Sequence, residues 1–139
     1  MVLGEGAQCA IVIKTGESAE NYLETILILS KNKEQVRSID IVNELEFSRP
    51  SVSVAMKGLR GNGLIDINKY GHITLTDEGR KIAESIYERH TIISSWLVSL
   101  GVDDMTANGD ACKIEHVLSE ASFAALKTYI TDDGSENQA

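Results

Sequence analysis

The stretch Ser48-Arg49-Pro50-Ser51 constrains the fold more than any other, because it holds the chain's only proline. Proline lacks an N–H and has a fixed φ, so a helix accepts it best in the first turn, where that N–H has no intrahelical partner anyway. Ser48 supplies an N-cap oxygen just ahead of it. A helix therefore starts here, buries Val52, Ala55, Met56 and Leu59, and ends at Gly61-Asn62-Gly63. Upstream, Ser38 reads as the cap of a shorter amphipathic helix with Ile39, Ile41, Val42 and Leu45. A short helix, a tight turn at Glu46-Phe47 and a second helix with polar residues at its start form a helix-turn-helix.

Two β-patterned runs follow, Leu64-Ile65-Asp66-Ile67 and His72-Ile73-Thr74-Leu75, joined by Asn68-Lys69-Tyr70-Gly71. Their alternation and the loop glycine predict a hairpin. A hairpin placed directly after the second helix is the wing of a winged helix.

The flanks extend this core. Residues 1–16 have no clear period and read as an arm or short strand. Tyr22, Leu23, Ile26, Leu27, Ile28 and Leu29 recur at helical spacing, with Glu17 and Glu20 at the start, where the helix dipole favours acids, so a helix should run from Ser18 to about Ser30. Thr76-Asp77-Glu78 caps a long helix carrying Ile82, Ile86, Ile93, Trp96, Leu97 and Leu100, with Gly101 as its stop. Asp103 or Asp104 should cap another, to about Leu118; a last one spans Phe123, Leu126 and Ile130. The expected division is an arm over 1–16, a winged helix-turn-helix over 17–76, an α-helical domain over 77–131 and a disordered tail over 132–139.

Chemistry concentrates in Cys112-Lys113-Ile114-Glu115-His116. On a helix Cys112, Glu115 and His116 share one face, which offers a thiolate, a carboxylate and an imidazole as metal ligands. The ordinary alternative is a buried apolar cysteine beside a solvated Glu-His pair. Completing ligands would come from other helices. Asn21 and Glu24 share a face of the first helix, where Glu24 on spacing alone reads as a solvated acid. His90 lies deep in the long helix; His72, on the hairpin, suits a wing contact to DNA backbone or plain exposure better than ligation.

Net charge is −8, and residues 81–139 carry ten acids against four bases, an excess that a divalent cation would relieve. Two cysteines, Cys9 and Cys112, are too few for a disulfide framework, and a free thiol at 112 suits a reducing, cytoplasmic setting. The run Cys9-Ala10-Ile11-Val12-Ile13 lacks a basic segment ahead of it and does not read as a secretory signal. No apolar run approaches the roughly 18 residues that a membrane span needs.

From Glu20 to about Tyr129 the chain resembles the diphtheria toxin repressor and manganese transport regulator family. The resemblance is carried by Glu20-Asn21-Tyr22-Leu23-Glu24-Thr25-Ile26, Ser48-x-Pro50-Ser51-Val52-Ser53, Gly63-Leu64, Leu75-Thr76-x-x-Gly79, Arg89-His90, Leu100-Gly101-Val102-Asp103 and Cys112-x-x-Glu115-His116. It implies a mainly α fold with a small β-hairpin: a winged helix-turn-helix followed by an α-helical dimerisation and metal-binding domain. The SH3-like domain of longer members is not expected, as in the shorter, manganese-responsive branch. It further implies a homodimeric transcriptional repressor of metal-homeostasis genes that binds a pseudo-palindromic double-stranded DNA operator when loaded with Mn²⁺ or Fe²⁺. The implied metal ligands are Asn21, Glu24, His90, Cys112, Glu115 and His116. Asn21 departs from the Asp or Met of the two branches, Cys112 looks iron-like, and Ser94 and Asn108 replace the Glu and His of a second site.

For DNA, Ser48, Arg49, Pro50, Ser51 and Ser53 stand at a helix N-terminus suited to phosphates and base edges; Lys57 and Arg60 add phosphate contacts, and Lys69 and Tyr70 sit on the wing. Two rivals remain. One is a winged-helix regulator that no longer senses metal. The other is a small metalloenzyme, which would need an open coordination position and a base in a pocket.

Overall fold

The computed structural model describes residues 15–138. The expected arm therefore lies outside the described residues, except for Thr15 and Gly16, which open the first helix. The elements are α1 (Thr15–Asn32), α2 (Ser38–Leu45), α3 (Arg49–Gly61), β1 (Ile65–Ile67), β2 (Ile73–Leu75), α4 (Asp77–Ser99), α5 (Asp104–Ile114) and α6 (Glu120–Gln138). Among the described residues the fold is mainly helical with one β-hairpin. None of its helices is long and apolar enough to cross a membrane.

The chain divides into two compact units, one up to Tyr87 and one from Glu88. The division falls inside α4. In the first unit, α1 is buried along most of its middle: Tyr22, Leu23, Ile26, Leu27 and Leu29 are buried with Ile41 and Leu45 of α2 and Val52, Met56 and Leu59 of α3. Ring contact between Tyr22 and Phe47, with centroids 5.9 Å apart, fixes the α2–α3 turn, where Glu46 takes a left-handed conformation (φ 59°).

Ser48 caps α3 by accepting from the Ser51 N–H at 3.2 Å. At α2 the cap is Arg37, not Ser38: the Asp40 carboxylate accepts the Arg37 N–H at 2.8 Å, and Ser38 is the first helical residue. The acid three residues after the cap holds the cap residue's own N–H, while the Asp40 N–H goes to the Arg37 carbonyl at 3.0 Å.

The hairpin pairs Ile65 with Leu75 and Ile67 with Ile73, antiparallel. Val36 extends it, its carbonyl accepting from Ile73 N at 2.7 Å. The hairpin is fastened to α4 by Thr76, whose N–H reaches Leu64 O (3.1 Å) and whose hydroxyl donates to Gly63 O (2.7 Å). That hydroxyl also accepts from Gly79 N (3.1 Å), capping α4. Gly79 is here because a Cβ would sit 1.9 Å from Leu64 O; only glycine permits the approach.

In the second unit, Asp103 caps α5 by accepting from Thr106 N at 3.1 Å. The helix stops at Ile114, one turn before the expected Leu118, because Arg89 of α4 takes the carbonyls beyond: Nη1 donates to Glu115 O (3.1 Å) and Leu118 O (2.6 Å). Arg89 also lies over the Phe123 ring, 5.1 Å from its centroid. α6 runs to Gln138, past residue 131 where order was expected to end; once a helix is nucleated, each added residue gains a bond without a further nucleation cost.

Candidate metal centre and nucleic-acid interface

Glu115 organises the centre. Its side chain is 0% exposed, with Oε2 2.9 Å from His90 Nδ1 and Oε1 3.3 Å from His116 Nε2. A buried carboxylate is costly unless positive charge or hydrogen-bond donors compensate it. The His90 ring, hydrogen-bonded to Oε2, contributes to that compensation here. Cys112, also buried, completes the group: one ligand atom each from His90, Cys112 and Glu115 lie within 4.8 Å of one another. Two ligands bound at about 2.0–2.3 Å to one first-row ion lie within about 4.6 Å of each other, so sulfur, nitrogen and oxygen here fit a single ion after small shifts. Borderline-soft and hard donors together suit a divalent transition metal.

Of the expected common face, Cys112 and Glu115 come together with His90, while His116 stands outside that group. Cys112 lies within α5, Glu115 is its C-cap with φ −58° and ψ −27°, still helical, and His116 lies in the turn beyond. One expectation is corrected. Cys112 is disulfide-bonded in this structure, so the free thiol expected from the sequence belongs to the reduced state. Only the reduced thiolate is a ligand.

Asn21 and Glu24 belong to the first unit and sit one turn apart on α1. Each is 4% exposed, which overturns the expectation of a solvated Glu24. Asn21 O accepts from Thr25 Oγ1 at 2.8 Å, while its Nδ2 is buried with no hydrogen-bond partner among the described residues.

His72 is half-buried at the hairpin, its Nε2 3.0 Å from Arg37 Nη2 and its Nδ1 3.4 Å from Asn68 Nδ2. It supports the wing and is absent from the metal-ligating groups found among the described residues. Ser48, Arg49, Pro50, Ser51, Ser53, Lys57 and Arg60 are all exposed along α3, as are Lys69 and Tyr70 on the hairpin turn, where Lys69 Nζ lies 5.1 Å from the Tyr70 ring centroid. Val54, 71% exposed, stands among them as an apolar contact.

Sequence reasoning passed over the structural roles of three residues. Arg37 caps α2 and reaches His72; Arg89 holds the chain around Glu115; Asn108 hydrogen-bonds His90, with Oδ1 3.0 Å from Nε2. Their partners lie far along the chain, so no local spacing reveals them.

Residues 14–73 match the family described as iron dependent repressor, N-terminal DNA binding domain, and residues 76–133 match iron dependent repressor, metal binding and dimerisation domain. The chain is 34% identical over 116 residues to an uncharacterised HTH-type transcriptional regulator of Methanocaldococcus jannaschii, covering 82% of this chain and 93% of that protein. It is 32% identical over 120 residues to the transcriptional regulator MntR of Escherichia coli O157:H7, covering 86% and 77%. Among solved structures, the manganese regulator SloR superposes with a TM-score of 0.72 at 27% identity, covering 81% of this chain and 53% of that one. A manganese-dependent transcriptional repressor in complex with manganese superposes with a TM-score of 0.74 at 26% identity, covering 81% and 52%. The chain thus spans about half the length of these two structures.

Proposed function

We propose, from the premise that this chain belongs to the iron-dependent repressor family, that it is a metal-dependent transcriptional repressor, binding a pseudo-palindromic operator as a homodimer when loaded with Mn²⁺ or Fe²⁺. The observation that carries this reading is the buried convergence of His90, Cys112 and Glu115 in a chain that also exposes a capped, hydroxyl-rich helix start beside a wing. Its targets are metal-homeostasis genes, and it works in the cytoplasm, where it meets DNA; it is a regulator and not an enzyme.

The proposed ligands are Asn21, Glu24, His90, Cys112, Glu115 and His116. Bound there, a divalent cation supplies the positive charge that these buried donors need and a preference for one arrangement of the residues that hold it. Glu115 carries the most, since its two oxygens face two imidazoles. Moving a population from mostly inactive to mostly active takes about 5.5 kcal/mol of differential affinity.

On the DNA side, the Ser48 and Ser51 hydroxyls and the α3 N-terminus offer donors to phosphate and base edges, while Lys57, Arg60 and Lys69 add positive charge. The 77–131 region serves dimerisation. Val98, Leu100, Met105, Val117 and Tyr129 are exposed there, in keeping with an apolar face for a second copy.

The test is to strip the metal, reduce the protein, dialyse it anaerobically against micromolar Mn²⁺ or Fe²⁺, and count bound metal in wild type and Glu115→Gln. About one ion per chain, lost in the variant, is expected, followed by metal-dependent operator binding that the variant lacks. Repression by Glu115→Gln with unchanged metal dependence would defeat the reading.

A further inference from the structure

His90 presents two ring nitrogens, and the structure gives each an oxygen. Nδ1 faces Glu115 Oε2 at 2.9 Å, and Nε2 faces Asn108 Oδ1 at 3.0 Å. Asn108 is not free to present its amide nitrogen instead. Its Nδ2 donates to Asp104 O, one turn back on α5, at 2.9 Å; turning the amide over would set Oδ1 against that carbonyl and an N–H against the ring. The amide oxygen therefore faces Nε2, and Nε2 must carry the hydrogen.

We infer that Asn108 is a positioning residue for the metal centre: by accepting the Nε2–H of His90 it leaves Nδ1 as the ring's only ligand atom and closes the far side of the ring to a second ion. The inference rests on the metal reading above. Its physical basis is general: a ligating histidine that donates its other N–H to a carbonyl oxygen has its tautomer and ring plane fixed and its lone pair strengthened. The lining of that far side agrees. A depression of about 270 Å³ beside Asn108 is lined by Ser94, Ser95, Val98 and Asp104, so Asp104 is its only charged group. Ser94 donates its hydroxyl to Thr91 O at 3.3 Å, within its own helix.

The experiment is long-range ¹H–¹⁵N NMR of the His90 ring in reduced protein, metal-free and loaded with diamagnetic Zn²⁺, in wild type, Asn108→Asp and Asn108→Leu. Chelator competition for Mn²⁺ and a thermal melt accompany it. Wild type should show Nε2 protonated in both states and the metal signature on Nδ1. Asn108→Asp keeps an acceptor and should keep both signatures, with affinity within a few-fold. Asn108→Leu should lose the fixed tautomer and bind Mn²⁺ about 10- to 100-fold more weakly, the usual effect of losing such a partner.

Metal found on Nε2 of wild type would overturn the inference while leaving the metal reading intact. So would an Asn108→Leu variant that keeps the tautomer and affinity of wild type, or one that loses only melting temperature. Failure of wild type to bind either metal would overturn the metal reading, and this inference with it.

Discussion

Glu115 and Cys112 differ in what they need before they can serve. Glu115 is already flanked by His90 and His116, whereas Cys112 sits in a disulfide and offers a ligand only after reduction. Metal uptake is therefore expected to be full in protein treated with a phosphine reductant and markedly weaker in oxidised protein, with Cys112→Ala resembling the oxidised form in both conditions. Equilibrium dialysis of the four samples decides it, and equal counts throughout would remove Cys112 from the ligand set. The approach of Cys112 to Glu115 was legible in the sequence because helical spacing places i and i+3 together. Asn108 and Arg89 were not, since their partners lie 18, 26 and 29 residues away and only the folded chain brings them within hydrogen-bond range.

Elements are joined here by close approaches that tolerate little change. At the junction of wing and α4, Gly79→Ala would push a methyl into Leu64 O, 1.9 Å from the ideal Cβ position. A loss of about 1–3 kcal/mol is expected, the usual range for overpacking. Gly58, within α3, has open space around it, and Gly58→Ala should gain up to about 1 kcal/mol from helix propensity. Urea midpoints should move in opposite directions for the two. The α5 cap adds a pH dependence. Hydrogen bonding from Thr106 holds the exposed Asp103 carboxyl below its ordinary value of 3.8. A lowered folded-state pKa means that this stabilisation is present above the ordinary value and lost as pH falls through the lower one. Asp103→Asn, which keeps a capping oxygen but cannot titrate, should flatten the acid limb of a stability profile.

Helix starts were the most legible part of the fold at this scale, because Ser48, Thr76 and Asp103 carry their signal locally. Helix ends were harder. α5 stops where a distant arginine takes the carbonyls beyond it; one start also escaped, since α2 is capped at Arg37 with Asp40 and not at Ser38.

At the scale of the molecule, a chain of net charge −8 must bind DNA through local charge. The bases proposed for contact, Arg49, Lys57, Arg60 and Lys69, cluster on α3 and the hairpin turn, so operator affinity should fall steeply with salt. Binding as a symmetric dimer also makes spacing decisive. Half-sites one turn of DNA apart place two recognition helices about 34–36 Å from each other. Inserting about 5 bp, half a turn, between half-sites should abolish cooperative binding in a gel-shift titration, and unchanged affinity would argue for a monomer at each site. The long helix α4 has one more consequence. It carries His90 and, six residues on, the chain's only tryptophan, Trp96; at about 1.5 Å per residue the two are separated by about 9 Å along the axis. Indole fluorescence is therefore a built-in reporter, whose quenching by paramagnetic ions would follow occupancy of the centre without any added label.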